Sequence, residues 1–381
     1  MKATNLFKEF FESEKVGGLI LISCTIISLS IANSALGISY HDFFQTKLGG
    51  LTIEHWINDG LMAIFFLLIG LELEREVYKG ELSNFKDALL PIFGALGGII
   101  FPAGIFLLFN YGTATQSGAG IPMATDIAFA LGILSLLGSR VPTSLKVFLT
   151  ALAVIDDLCA ILIIAIFYTK TLLWTNLFIA LGIFALLLIC NRLKIRNLIP
   201  YLIGGIAMWY FMLHSGVHAT ITGVLLAFAI PFGNGDKKST SYVLQHYLHK
   251  PVAFIILPIF ALANTLIIFS GDIIQTLTEN NSLGIALGLI VGKPFGILLL
   301  TFLAVTIGFC KLPSDLNWKS IFGVGLLAGI GFTMSIFITL LAFDNETLIN
   351  NSKLVILLSS LIAGILGFLT LRLTLKTTQT E

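Results

Sequence analysis

Residues Leu145 to Tyr168 form one apolar run, LKVFLTALAVIDDLCAILIIAIFY, interrupted only by the adjacent acids Asp156 and Asp157. A run of that length reads as a membrane-spanning helix. A charged side chain at the centre of such a helix costs about 2.5–3.5 kcal/mol on insertion scales. Two neighbouring carboxylates also repel each other and resist ionising together. The pair therefore reads as a site for a cation, a proton or both.

The rest of the chain fits the same solvent. Of its 381 residues 56% are hydrophobic and 11% charged, whereas soluble domains carry about 25% charged residues. Twelve spans are predicted, near 16–32, 57–75, 88–109, 121–138, 145–168, 173–191, 198–213, 216–232, 252–270, 283–309, 320–343 and 354–371. Lysine and arginine placement tests the count. Eighteen of the 22 fall in the N-terminus, the C-terminus and the connections after even-numbered spans. The other side holds Lys47, Lys170 and Lys353, and Lys293 lies inside a span. That asymmetry predicts both termini in the cytoplasm. The acidic start and the lack of an Ala-x-Ala site predict that the first run stays as an anchor. Leu6, Phe7, Phe10 and Phe11 among alternating charges predict an interfacial helix over 1–15. The net charge of +1 argues against nucleic acid as a partner. Cys24, Cys159, Cys190 and Cys310 stand singly in apolar runs, with spacing for neither a metal nor disulfides. No cofactor is expected.

Other polar residues also sit where lipid should exclude them. Asp126 follows Thr125 near the centre of span four, with Pro122 and glycines on both sides, which predicts a helix interrupted at mid-membrane. Lys293, in Gly292-Lys293-Pro294, is too far from either interface to snorkel. It needs an acid partner or must give up its proton, and a structural ion pair and a proton-carrying role are both open. In span eleven Gly323, Gly325, Gly329 and Gly331 precede Thr333 and Ser335. This is either small-residue packing or a second broken helix. Spans 3–5 and 10–12 are matching blocks of opposite orientation, and paired interrupted segments point to a transporter's binding site. Asp126 would then offset half-helix N-termini and Lys293 the C-termini.

Three further features keep two readings each. Glu72, Glu74, Arg75 and Glu76 end span two as a solvated helix end or as a funnel for cations. His214 and His218 suit packing or a pH-responsive hydrogen bond better than a metal. Gly49-Gly50 predicts a short hairpin after span one, either a pairing edge for a partner chain or only a loop. An intramembrane aspartyl protease would place its acids on separate helices, whereas Asp156 and Asp157 are adjacent on one. A passive channel would not need the proton-titrating set. An organic-anion symporter would want an arginine in a span core, and none is there.

Together, Ala124-Thr-Asp-Ile-Ala-Phe-Ala, Ala153-Val-Ile-Asp-Asp-Leu, Leu213-His-Ser-Gly-Val-His-Ala-Thr, Gly292-Lys-Pro and Gly329-Ile-Gly-Phe-Thr-Met-Ser resemble the NhaA family of bacterial sodium/proton antiporters. That family is a standing example of inverted repeats, so the repeat reading is not independent of the resemblance. The resemblance implies an all-α polytopic membrane protein of twelve helices, spans four and eleven interrupted, in the bacterial inner membrane. It implies a secondary transporter, not an enzyme, exchanging internal Na+ or Li+ for external H+ electrogenically and under pH regulation. Asp156 and Asp157 would form the ion and proton site, beside Thr125 and Asp126. Asp126 and Lys293 would compensate the half-helix ends, with Lys293 able to pair with Asp156. Glu72, Arg75, Glu76 and His218 match positions linked to pH response, although Gln245 stands where an acid is expected. Helices within 88–168 and 283–371 would form the transport core of a single domain. The remaining helices, with a hairpin over 42–58, would serve a homodimer.

Overall fold

Apolar segments in lipid must satisfy every backbone N–H and C=O internally, which leaves helices as the economical solution here. In a computed structural model these helices are described for residues 2–375, except 170–171, 234, 237–238 and 269–272. For residues 2–15, 81 and 85–87 only the backbone is described. The amphipathic side-chain pattern over 1–15, and Lys86, Lys170, Lys237, Lys238 and Lys376 of the charge count, thus lie outside the described side chains.

Each predicted span coincides with a helical element. Eight are long and apolar enough to cross a bilayer: Ile53–Tyr78, Ala88–Asn110, Gln116–Ser135, Thr143–Phe167, Trp174–Arg192, Thr240–Asn264, Asn280–Ile307 and Glu346–Thr374. Two more are bent pairs: Val16–Ala32 with Gly37–Gln45, at 112°, and Trp318–Ala328 with Phe332–Ala342, at 48°. Ile199–Leu213 and Ile221–Ala229 supply the seventh and eighth spans.

Two boundaries differ from the sequence reading. Span eight, read as 216–232, is helical only over nine residues, Ile221–Ala229. Nine residues rise about 14 Å, under half of a hydrocarbon core near 30 Å. The left-handed Gly216, φ +87°, and the following turn take up the rest. Span nine starts at Thr240 rather than 252, where the Ser239 hydroxyl accepts the Tyr242 N–H at 3.4 Å. Its first turns, TSYVLQHYLHK, are amphipathic and read by hydropathy as loop.

The turn at Gly49 and Gly50 is a hairpin, with Lys47 opposite Thr52 and Leu48 opposite Leu51. Both glycines have positive φ, +63° and +94°, as a two-residue hairpin turn requires. The membrane face that carries it is called the hairpin face below.

Spans three and ten cross in backbone contact. A Cβ on Gly97 would overlap the Gly296 carbonyl, and a Cβ on Gly296 the Gly97 carbonyl. Small residues let the two backbones touch, the usual means of helix association in lipid. This crossing holds span ten, and with it Lys293, against the interrupted span four.

Candidate ion site

Thr143–Phe167 stays helical through the aspartate pair. Adjacent residues on a helix point about 100° apart, so the two carboxylates face different surroundings. Both are buried, Asp156 at 2% exposure and Asp157 at 1%.

Span four breaks beside them. A 3-10 segment, Gln116–Met123, ends in extended backbone at Ala124, and a new helix, Ile127–Ser135, starts after Asp126. Span eleven breaks between Ala328 and Phe332. The two breaks lie against each other: the Asp126 N–H donates to the Ile330 carbonyl at 2.7 Å, and the Ser335 hydroxyl to the Ile121 carbonyl at 2.7 Å. A Cβ on Gly329 would overlap the Leu289 carbonyl, so glycine there lets the span-eleven break pack against span ten.

Each break exposes helix ends that lipid cannot solvate. Helix N-termini carry partial positive charge and unpaired N–H groups. Asp126 serves both N-termini with one carboxylate. Its Oδ1 accepts the Phe129 N–H at 3.0 Å, while Oδ2 accepts the Thr333 N–H at 3.1 Å and the Thr333 hydroxyl at 2.5 Å. At the opposite ends, the Lys293 ammonium donates to the Met123 carbonyl. The Thr125 hydroxyl lies 2.9 Å from the Ala328 carbonyl, the last of its half-helix.

The same two donors reach Asp156. Its Oδ2 is 2.8 Å from Lys293 Nζ, and both side chains are fully buried. Thr125 Oγ1 is 2.7 Å from that oxygen. Thr125 has one hydroxyl proton, so it can satisfy Asp156 or the Ala328 carbonyl at one time, not both. No described hydrogen-bond donor reaches Asp156 Oδ1 or either oxygen of Asp157. Three buried carboxylate oxygens therefore lack a protein donor, and buried polar atoms of this kind call for an explanation.

Comparison with known proteins agrees with this architecture. The family described as Na+/H+ antiporter 1 matches residues 8–371. A protein of Flavobacterium psychrophilum named Na(+)/H(+) antiporter NhaA is 75% identical over 381 residues, covering 100% of this chain and 99% of the relative. Its namesake in Cytophaga hutchinsonii is 64% identical, covering 99% and 97%. Another in Dechloromonas aromatica is 62% identical, covering 97% and 96%.

The chain belongs to this antiporter family. It is a multi-pass membrane transporter rather than an enzyme.

The remaining predicted residues of this antiporter-family chain lie apart from the crossing. Glu72 sits near the end of span two away from the hairpin face, with His249 Nδ1 4.0 Å from its Oε1. Gln245 is within hydrogen-bonding reach of Glu72, and Arg75 and Glu76 act on it through space. Glutamine at 245 thus gives Glu72 a neutral partner where an acid would have given it a like charge. Glu74, on the same turn, is 5% exposed and its Oε2 has no described partner. His218 is elsewhere: its Nε2 lies 3.0 Å from the Tyr168 carbonyl at the end of span five. His214 Nδ1 lies 2.8 Å from the Tyr210 carbonyl. The four cysteines are free. The roles of Thr333 and of the Met123 and Ala328 carbonyls were not legible in sequence. A backbone carbonyl has no residue-type signature, and Thr333 is one of several small polar residues beside glycines.

Proposed function

We propose that this chain exchanges cytoplasmic Na+ or Li+ for external H+, electrogenically and by alternating access, with cation and protons competing at Asp156 and Asp157. The observation that carries this is the charge balance at the crossing. Asp126 is matched by two helix N-termini and Asp156 by Lys293 at 2.8 Å. Asp157 has no described donor or ion-pair partner on either oxygen. Its charge has to be met by something that arrives: a proton or a cation. The free oxygen of Asp156 and the pair on Asp157 are hard ligands suited to Na+ or Li+.

When the site faces the cytoplasm, Asp157 loses its proton and Na+ binds to the carboxylate oxygens. Drawing Asp156 towards Na+ frees Lys293, which gives up a second proton. Two protons returning for one Na+ leaving would move net charge. Thr125 supports the change, since its single proton can pass from Asp156 to the Ala328 carbonyl as the carboxylate turns. The site then opens to the other face, and protons displace Na+. The helices within 88–168 and 283–371 form the moving core.

The membrane orientation proposed is that of the charge asymmetry: both termini cytoplasmic, the hairpin face external, in the bacterial inner membrane. On that reading Glu72, Arg75 and Glu76, with Gln245, form the cytoplasmic pH-responsive cluster, and His218 acts from the external end of span five.

In proteoliposomes, an inward Na+ or Li+ gradient is expected to drive proton efflux, and an imposed pH gradient to drive Na+ uphill. Sodium movement that only ever runs down its own gradient would contradict exchange and point to a channel. The hairpin is proposed as a homodimer contact, because each of its two-residue strands leaves an edge to pair. Deleting residues 46–53 is expected to give monomers in native mass spectrometry with exchange retained. A dimer that persists would assign the contact elsewhere.

A further inference from the structure

A polar cavity, about 330 Å³, opens on the hairpin face, apart from the ion site. Its walls come from both halves of the molecule. Gln45 and Glu54 flank the hairpin and Ala263 ends span nine, while Leu340 and Lys353 belong to spans eleven and twelve. Lys353 is 5% exposed. No described residue gives its ammonium a hydrogen bond or an ion pair. Glu54 acts on it through space but lies beyond ion-pair distance, its own carboxylate taking the Gln45 amide at 2.7 Å.

Beneath this cavity spans two, nine and eleven meet in a buried aromatic seam. Phe337, three residues before Leu340, packs on Phe66 of span two at 5.4 Å and on Phe260 of span nine at 6.4 Å. All three rings are buried. The cavity therefore sits at the outer end of the seam that has to part for the ion site to reach the hairpin face.

We propose that this cavity is the external vestibule of the exchange path, and that Lys353 sets how readily the external face admits Na+. The inference rests on the exchange and orientation proposed above. Lys293 has its charge met at contact by Asp156, so its field is largely local. Lys353 has no such partner, and its positive field spans the vestibule. A sodium ion arriving from outside must pass it, with Glu54 and Glu346 in the cavity wall to offset the repulsion. The field raises the external Na+ concentration needed to load the site; it acts alike on a proton of the same charge, so it sets how readily the external face loads and not which ion it prefers. Lys353 is a positioning residue here, since it does not touch the transported ion at the aspartate pair.

The test is sided. In vesicles of defined orientation, at an alkaline external pH where protons compete little, Lys353→Gln is expected to lower the external Na+ concentration that half-inhibits exchange by about sixfold. That is the effect of one charge acting over roughly 15 Å at an effective dielectric near 20. The cytoplasmic Na+ dependence should not move. Lys353→Arg should match wild type, and Glu54→Gln should shift the external value the opposite way. Equal shifts on both sides, or no external shift, would overturn the proposal. If Lys353→Gln does not insert, the Glu54→Gln result decides alone. A wild-type protein that does not exchange Na+ would instead remove the proposed function, whatever the variants do.

Discussion

Lys293→Ala is expected to destabilise the protein by about 3–5 kcal/mol, the range for removing one partner of a buried ion pair. Two groups lose their partner at once. Asp156 keeps only the Thr125 hydroxyl, and the Met123 carbonyl at the end of a half-helix loses its donor. Neither can turn to water, because Lys293 and Asp156 are fully buried. The loss should appear as a lower unfolding midpoint in detergent. Adding Asp156→Asn to Lys293→Ala should restore part of it, since no uncompensated carboxylate then remains at that position. A single variant as stable as wild type would show that the pair is not structural.

Asp157→Asn is expected to do the reverse. It should reduce cation-driven proton movement to the level of protein-free liposomes while leaving stability unchanged or higher. The physical reason is the absence of a described donor at either Asp157 oxygen. An uncompensated charge at mid-membrane costs about 2.5–3.5 kcal/mol, and asparagine removes it. Asp156→Asn should lose both stability and exchange, because it strands Lys293. The contrast between adjacent residues separates the group that transports from the group that also holds the crossing together. Wild-type exchange by Asp157→Asn would remove the mechanism.

The membrane fold was legible in sequence because lipid allows few alternatives. Apolar run length and the lysine and arginine alternation located twelve helical elements; Pro122 and its flanking glycines marked the break in span four, whereas the glycines of span eleven fitted packing as well as a break. Misreadings came where hydropathy is a poor guide. TSYVLQHYLHK is too polar to score as membrane helix yet continues span nine by burying one face. Span eight is shortened by a left-handed glycine that composition does not reveal. At the site, Asp126, Asp156, Asp157 and Lys293 announced themselves as charges in the wrong solvent. Their wiring did not. That Asp126 serves two N-termini, and that Thr125 is shared between Asp156 and Ala328, depends on how two breaks meet across some two hundred residues of chain. Lys353 was counted only as an external positive charge, because its burial comes from the packing of both halves around it.

The central claim is that a proton and a sodium ion exclude each other at Asp157. Its most direct test is proton release from purified protein in weakly buffered detergent at mildly alkaline pH, read with a pH-indicator dye as salt is added. Na+ and Li+ should each release protons in proportion to protein, K+ should not, and Asp157→Asn should release none. Sodium binding without proton release from the wild-type protein would contradict the account.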